Sequence, residues 1–275
     1  KVHRMDQRPI GVFDSGQGGL TAVREIQSIL PSENMIYFGD TSRVPYGGRS
    51  PEILLRYARQ DVRFLQSFGI KALLIACGTV STTALPTLAA ENDLPIRGVV
   101  TPTCAAAARA TRNKKVGLIA TAASVRSGAY ERTLHALDGD IQVYAKACPL
   151  FVPLVENGRF HPGDTVIETV AREYLTPLKE TGIDTLMLGC THYPLLTEII
   201  GEIMGPGVTL INAGAEAARA LRSELAAKDL LAQRAQGVTT LYASDSPGDF
   251  AALAGQFLDR PIEKDAVGLV DIERY

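Results

Sequence analysis

What most constrains this chain is the rhythm of its apolar residues. Short runs, several of them apolar on successive positions, alternate along its length with helix-sized segments. The runs are residues 10–13, 35–38, 72–76, 96–100, 115–120, 142–145, 185–188, 208–211 and 239–242. A strand covered on both faces of a parallel sheet reads this way, whereas a strand with one wet face alternates. Between the runs, residues 20–30 carry Leu20, Val23, Ile26, Ile29 and Leu30 at roughly the helical period, and residues 51–68 and 164–181 follow the same pattern. Strand, loop, helix, strand predicts an α/β protein with doubly wound, mainly parallel sheets.

At 275 residues the chain has room for about two domains. Its 46% hydrophobic and 21% charged residues fit a globular protein and exclude disorder or a fibrous repeat. A net charge of −2 with no basic run gives no footprint for nucleic acid or an anionic membrane surface. No apolar stretch approaches the roughly 20 residues of a spanning helix. Residues 1–9 are charged and lack the apolar centre of a secretory signal, so a short lead-in is expected there, and with it a cytoplasmic setting. The four cysteines, Cys77, Cys104, Cys148 and Cys190, are too few for a disulfide scaffold. None form a C-x-x-C pair and the histidines are scattered, so no metal site is expected.

The chain also echoes itself. The run Ile10-Gly11-Val12-Phe13-Asp14-Ser15-Gly16 returns as Val116-Gly117-Leu118-Ile119-Ala120-Thr121-Ala122. Likewise Leu73-Leu74-Ile75-Ala76-Cys77-Gly78-Thr79 returns as Leu186-Met187-Leu188-Gly189-Cys190-Thr191-His192. Each half thus has a hydroxyl-bearing loop after an early strand and a later strand ending in Cys. Ligands of open α/β sheets sit beyond the carboxyl ends of the strands, so two such units facing each other would share one cleft.

The loop motifs carry chemistry in varying degree. Asp14-Ser15-Gly16-Gln17-Gly18-Gly19 opens a helix, where free N–H groups favour a carboxylate; it lacks the Gly-Lys-Ser/Thr of a P-loop and the third glycine of a dinucleotide fingerprint. Ser15 capping an ordinary turn would also explain it, and Asp14 is open between a helix cap, a partner for an ammonium group and a modulator of a base. Gly39-Asp40-Thr41 and Pro45-Tyr46-Gly47-Gly48 form a second polar loop. A lone Cys at a strand end is usually inert, but Cys77 and Cys190 share a setting, and an expected helix start beside each would favour the thiolate. His192 is either a structural imidazole or an aid to proton transfer. Cys104 and Cys148 lack that setting and read as structural.

Taken in order, these segments resemble the glutamate racemases of the aspartate/glutamate racemase superfamily. Leu188-Gly189-Cys190-Thr191-His192-Tyr193-Pro194 is the most specific match, and Ser127-Gly128-Ala129-Tyr130 and Phe151-Val152-Pro153-Leu154-Val155-Glu156 also fit. The resemblance covers nearly the whole chain. It implies two pseudo-symmetric, interleaved α/β domains, residues 1–101 plus 210–275 and residues 102–209, with the site in the cleft between them. It implies a cytosolic, commonly dimeric enzyme that interconverts L- and D-glutamate without a cofactor and supplies D-glutamate for peptidoglycan. Cys77 and Cys190 would exchange the α-proton, supported by Asp14, Glu156 and His192. Ser15, Pro45, Tyr46, Gly47, Gly78, Thr79, Thr121, Ser124 and Thr191 would bind the substrate, a small molecule, alongside Asp14, the two cysteines and His192. Two positions depart from the pattern. Gly78 stands where the family usually has Asn, leaving space in which a water is expected, and Ala120-Thr121-Ala122-Ala123-Ser124 replaces Gly-Thr-x-x-Thr while keeping a hydroxyl at Ser124.

Racemisation takes a proton from one face of a carbon and returns one to the other, so one thiolate and one thiol on opposite sides suit it. Contact distances of about 3–3.5 Å from each sulfur to the carbon put the sulfurs roughly 7 Å apart, too far for a disulfide. Three other readings stay open on sequence. One is a racemase of aspartate or another acidic compound, which Gly78 keeps in play. Another is a non-catalytic binder of acidic amino acids, which would leave the paired cysteines unexplained. The third is a thiol hydrolase, which would not need a second Cys.

Overall fold

The computed structural model describes residues 6–275; the first five residues of the expected lead-in lie outside the described residues. The strands, in chain order, are β1 (Ile10–Asp14), β2 (Met35–Gly39), β3 (Ala72–Ile75), β4 (Ile96–Gly98), β5 (Lys115–Ala120), β6 (Gln142–Ala147), β7 (Thr185–Leu188), β8 (Thr209–Asn212), β9 (Thr239–Ala243) and β10 (Val267–Leu269). They build two sheets among the described residues, ordered β10-β9-β2-β1-β3-β4 and β6-β5-β7-β8. Every pairing is parallel. The fold is the doubly wound α/β architecture that the apolar rhythm predicts.

The echo in the sequence is an echo in space. The block β2-β1-β3-β4 of the first sheet has the same order as β6-β5-β7-β8, so β1 corresponds to β5 and β3 to β7. The central strands β1, β3 and β7 are buried at every position. β6, at an edge, is half-exposed and carries Gln142 and Lys146. The run expected over residues 96–100 is shorter in the structure: the chain enters the helix Val100–Ala110 directly after β4, and Pro102 is tolerated in its first turn because that N–H would have no helical partner. β10 has no counterpart in the sequence reading. It is three residues long, has Gly268 at its centre and sits at the sheet edge.

Helix ends follow local chemistry. Ser50 accepts from Ile53 N–H ahead of Pro51–Gln66, Asp164 from Val166 N–H ahead of Thr165–Glu180, and Asn212 from two N–H groups ahead of Ala213–Ala227. The helix Leu20–Ile29 buries Leu20, Val23 and Ile26 completely, each worth about 1.5–3 kcal/mol.

The first sheet takes strands from residues 10–98 and 239–269, and the second from residues 115–212. The expected boundary between residues 209 and 210 therefore falls at the start of β8, which pairs with β7 and belongs with the second sheet. One apolar core runs unbroken from Ile10 and Val12 of β1 to Leu186 and Leu188 of β7. The carboxyl ends of the two sheets meet across this core. No helix among the described residues is long and apolar enough to cross a membrane.

Candidate active site

A cavity of about 520 Å³ lies where the strand ends converge. Six loops enclose it, three from each sheet. Asp14 and Ser15 follow β1, residues 44–48 follow β2, and residues 77–79 follow β3. Thr121 and Ala122 follow β5, Cys148 to Glu156 follow β6, and residues 189–192 follow β7. Of the expected site residues, Asp14, Ser15, Pro45, Tyr46, Gly47, Cys77, Gly78, Thr79, Thr121, Glu156, Cys190, Thr191 and His192 all border the cavity. Ser124 does not.

In the first loop Asp14 is buried, and its two oxygens do different things. Oδ2 accepts from Gly19 N–H at 2.9 Å and Gly16 N–H at 3.4 Å, so it holds the turn. Oδ1 is buried without a protein partner. Ser15 makes no cap to the following helix. Burial raises the Asp14 pKa, and the His192 charge opposes that rise. Tyr37, from β2, donates to Gly16 O at 2.6 Å and fixes the back of the loop.

Both cysteines are free thiols. Cys77 is the N-cap residue of the short helix Gly78–Thr83, and its Sγ lies 3.9 Å from Ser15 Oγ. Burial, and then the Asp14 charge, push this thiol well above its usual range, against the pull of the Val80 N–H. Cys190 differs from the expectation of a helix start. It is followed by a tight turn and the 3₁₀ segment Tyr193–Leu196, and its neighbour is an imidazole, with His192 Nδ1 at 3.8 Å from Sγ. His192 Nε2 lies 3.0 Å from Glu156 Oε1. Burial alone would lower the His192 pKa, but Cys190 and Glu156 outweigh it and push the ring up to about 10. A ring protonated at neutral pH donates from Nε2 to Glu156 and from Nδ1 to Cys190. Phe257 meets the imidazole edge-on, with ring centres 5.5 Å apart.

Hydroxyls bridge the two halves. Thr79 Oγ1 and Thr121 Oγ1 are 3.0 Å apart, and Thr121 Oγ1 donates to Ser124 Oγ at 3.1 Å. Ser124 thus stands behind Thr121 and orients it rather than facing the cavity.

Two more expectations need correction. Tyr46 borders the cavity, but its hydroxyl points away, donating to Asp40 and lying 3.2 Å from Asp61 Oδ2. Arg43 completes that buried cluster with Asp40 at 2.6 Å and Asp61 at 3.0 Å. Tyr46 therefore anchors the loop and leaves its backbone, with Pro45 and Gly47, to face the cavity. The space expected beside Gly78 is narrower than its missing side chain suggests. A Cβ there would lie 2.5 Å from Gly189 O, so the backbone of the opposite loop closes off that direction, while Gly78 still borders the cavity.

The sequence reading missed much of the apolar wall. Val44, Ala122, Cys148 and Pro149 border the cavity, and Val152 and Pro153 had stood out only as part of a matched segment. Cys148 was expected to be structural. It sits at the end of β6, and burial pushes its thiol up to about 12, with Sγ 3.7 Å from Lys146 O and no imidazole beside it. The signal that could have found these residues was the echo itself: once loops after β1 and β3 are assigned to the site, the loops after β2, β5, β6 and β7 follow. Cys104 lies away from the cavity against Tyr130 O at 3.5 Å.

The family model for Asp/Glu/hydantoin racemases matches residues 22–221. A glutamate racemase from Geobacter metallireducens is 44% identical over 255 residues, which cover 92% of this chain and 94% of that protein. The crystal structure of a glutamate racemase isoform, RacE1, from Bacillus anthracis superposes with a TM-score of 0.92 at 37% identity, covering 97% of this chain and 98% of that one. A glutamate racemase from Francisella tularensis, in complex with D-glutamate, gives a TM-score of 0.89 at 36% identity over 98% of this chain and 100% of that one.

Proposed function

This chain belongs to the Asp/Glu/hydantoin racemase family, and from its identity and coverage against glutamate racemases we propose that it interconverts L- and D-glutamate by passing the α-proton between Cys77 and Cys190. The observation that carries this reading is that the two thiols leave equivalent strands of two equivalent sheets and border one cavity. The F. tularensis enzyme's complex with D-glutamate supports the choice of substrate.

In one direction the Cys77 thiolate removes the α-proton while the Cys190 thiol delivers one to the opposite face; in the other the roles exchange. The α-carbon gains a proton for each one lost, and the pair finishes with thiol and thiolate exchanged. The Asp14 oxygen without a protein partner suits the substrate ammonium, whose charge would offset the field that Asp14 exerts on Cys77. Thr79 and Thr121, with Ser15, Thr191 and the Pro45–Gly47 backbone, offer donors to the two carboxylates. His192, held by Glu156, stands beside the Cys190 sulfur, where it can orient the sulfur and relay a proton to or from it. Excluding water from this cavity strengthens each of these interactions as charge develops on the α-carbon. A homodimer, a cytoplasmic setting and a supply of D-glutamate to peptidoglycan belong to the same reading.

The test is racemisation of each enantiomer in deuterium oxide. Inverted product should carry deuterium at the α-carbon. Inversion with the original proton retained would overturn the two-cysteine scheme, and equal turnover of aspartate would move the substrate assignment within the family.

A further inference from the structure

Gly18 lies in the loop after β1, on the half of the molecule that carries Cys77, yet the atoms a side chain on it would meet belong to the Cys190 loop. A Cβ on Gly18 would lie 2.4 Å from Thr191 Oγ1 and 2.5 Å from both Cε1 and Nδ1 of His192. The backbone there is not in the left-handed region, so space and not conformation calls for glycine.

The surroundings leave the imidazole no easy retreat. Glu156 holds Nε2, Phe257 meets the ring edge-on, and the ring is almost fully buried. The backbone behind it is tied as well, because Thr21 Oγ1 donates to Thr191 O at 2.8 Å from the start of the same helix that Gly18 precedes. The Thr191 hydroxyl can turn aside by rotation about one bond. The ring can yield only by leaving Cys190 or Glu156.

We propose that Gly18 is a positioning residue for proton transfer at Cys190: by having no side chain it lets the first half press against His192 and set the imidazole's place beside the sulfur. The proposal rests on the two-cysteine reading above. It makes the geometry of the acid/base on the second half depend on the first half.

Gly18→Ala should lower kcat by roughly a hundredfold, the cost of a displacement of about an ångström in a catalytic group. A structural fault would also lower kcat, so the deciding measurement is the isotope effect with α-deuterated L-glutamate and D-glutamate separately. If the step at Cys190 is the one slowed, the isotope effect rises for the enantiomer that Cys190 deprotonates and falls for the other. A shift of Thr191 alone changes KM and leaves the two isotope effects in their wild-type ratio. Removing the imidazole gives the second arm. Gly18→Ala combined with His192→Ala should fold, since the ring is gone, and should be no slower than His192→Ala alone. Isotope effects that change equally in both enantiomers, or additive losses in the double variant, would overturn the proposal. Wild-type racemisation by Cys190→Ser would instead overturn the reading it rests on.

Discussion

Cys77 and Cys190 stand at matching strand ends, but the two sulfurs have different company. Cys77 caps a short helix beside a buried carboxylate, and both burial and that carboxylate disfavour its thiolate. Cys190 has no such helix; it has an imidazole held by Glu156. The backbone is repeated and the electrostatics are not. The difference teaches where symmetry is required. L- and D-glutamate have equal free energy, so the equilibrium constant is unity and kcat/KM must be the same in both directions. A lopsided site obeys that constraint without effort, since asymmetry can appear in kcat and KM separately, in isotope effects and in pH dependence. On the two-cysteine reading, what must be repeated is only the placement of two sulfurs on opposite faces of one carbon; the two sheets repeat the strand ends that carry those sulfurs.

The largest effect expected is from removing either thiol. Cys77→Ser and Cys190→Ser should each lower racemisation by roughly 10²–10⁴-fold. The residual washout of the α-proton into deuterium oxide, followed by NMR, should be confined to one enantiomer in the first variant and to the other in the second. Washout from the same enantiomer in both would break the comparison.

Glu156→Gln should sharpen it. His192 has a folded pKa of about 10 against 6.5 for the free side chain. The proton it retains on folding stabilises the protein fully below pH 6.5, and that contribution is lost as pH rises through about 10. Without the Glu156 charge the folded pKa falls, so the loss should be complete at a lower pH. Melting temperatures recorded from pH 6 to pH 11 would show it. The Cys77 side has no imidazole, but its own thiol is held protonated by burial and Asp14, so Cys77→Ser should flatten the limb above about pH 9, where the unfolded thiol ionises, and leave the His192 part below it unchanged.

A smaller effect is expected at Gly78→Ala, where the added Cβ meets the carbonyl of Gly189 and the two loops must part. Overpacking of this kind costs about 1–3 kcal/mol, read by denaturant titration, with KM rising for both enantiomers alike. An unequal change would mean that the contact serves one sulfur more than the other.

The doubly wound fold and the paired cysteines were legible because both rest on local pattern. Buried parallel strands announce themselves by successive apolar residues, and the echo of Leu73–Thr79 in Leu186–His192 located the matched strand ends. The features that escaped depend on what the fold brings from far away. Tyr46 read as a site residue because nothing in its loop revealed that Asp61, from the middle of a helix with exposed charges on other faces, would be buried against it. Gly78 read as leaving free space because the backbone that a Cβ there would meet belongs to the other half. Ser124 read as a ligand-binding hydroxyl, and only the geometry shows it spent on Thr121. β10 offered three residues with glycine at the centre, too little for any periodicity.

The chain passes between the sheets twice, outward through the helix Val100–Ala110 after β4 and back through the helix Ala213–Ala227 after β8. These helices pack against each other, and the second also packs along Leu20–Ile29. A body tied by one strand can swivel in any direction, whereas one tied by two adjoining stiff members turns about a single line, as a door does on two pins. If the cleft opens to admit a substrate, this tie would carry Cys190 away from Cys77 along one arc. On the two-cysteine reading each sulfur would then meet the same face of the carbon at every closure, and the fidelity of the inversion would follow from the way the door is hung.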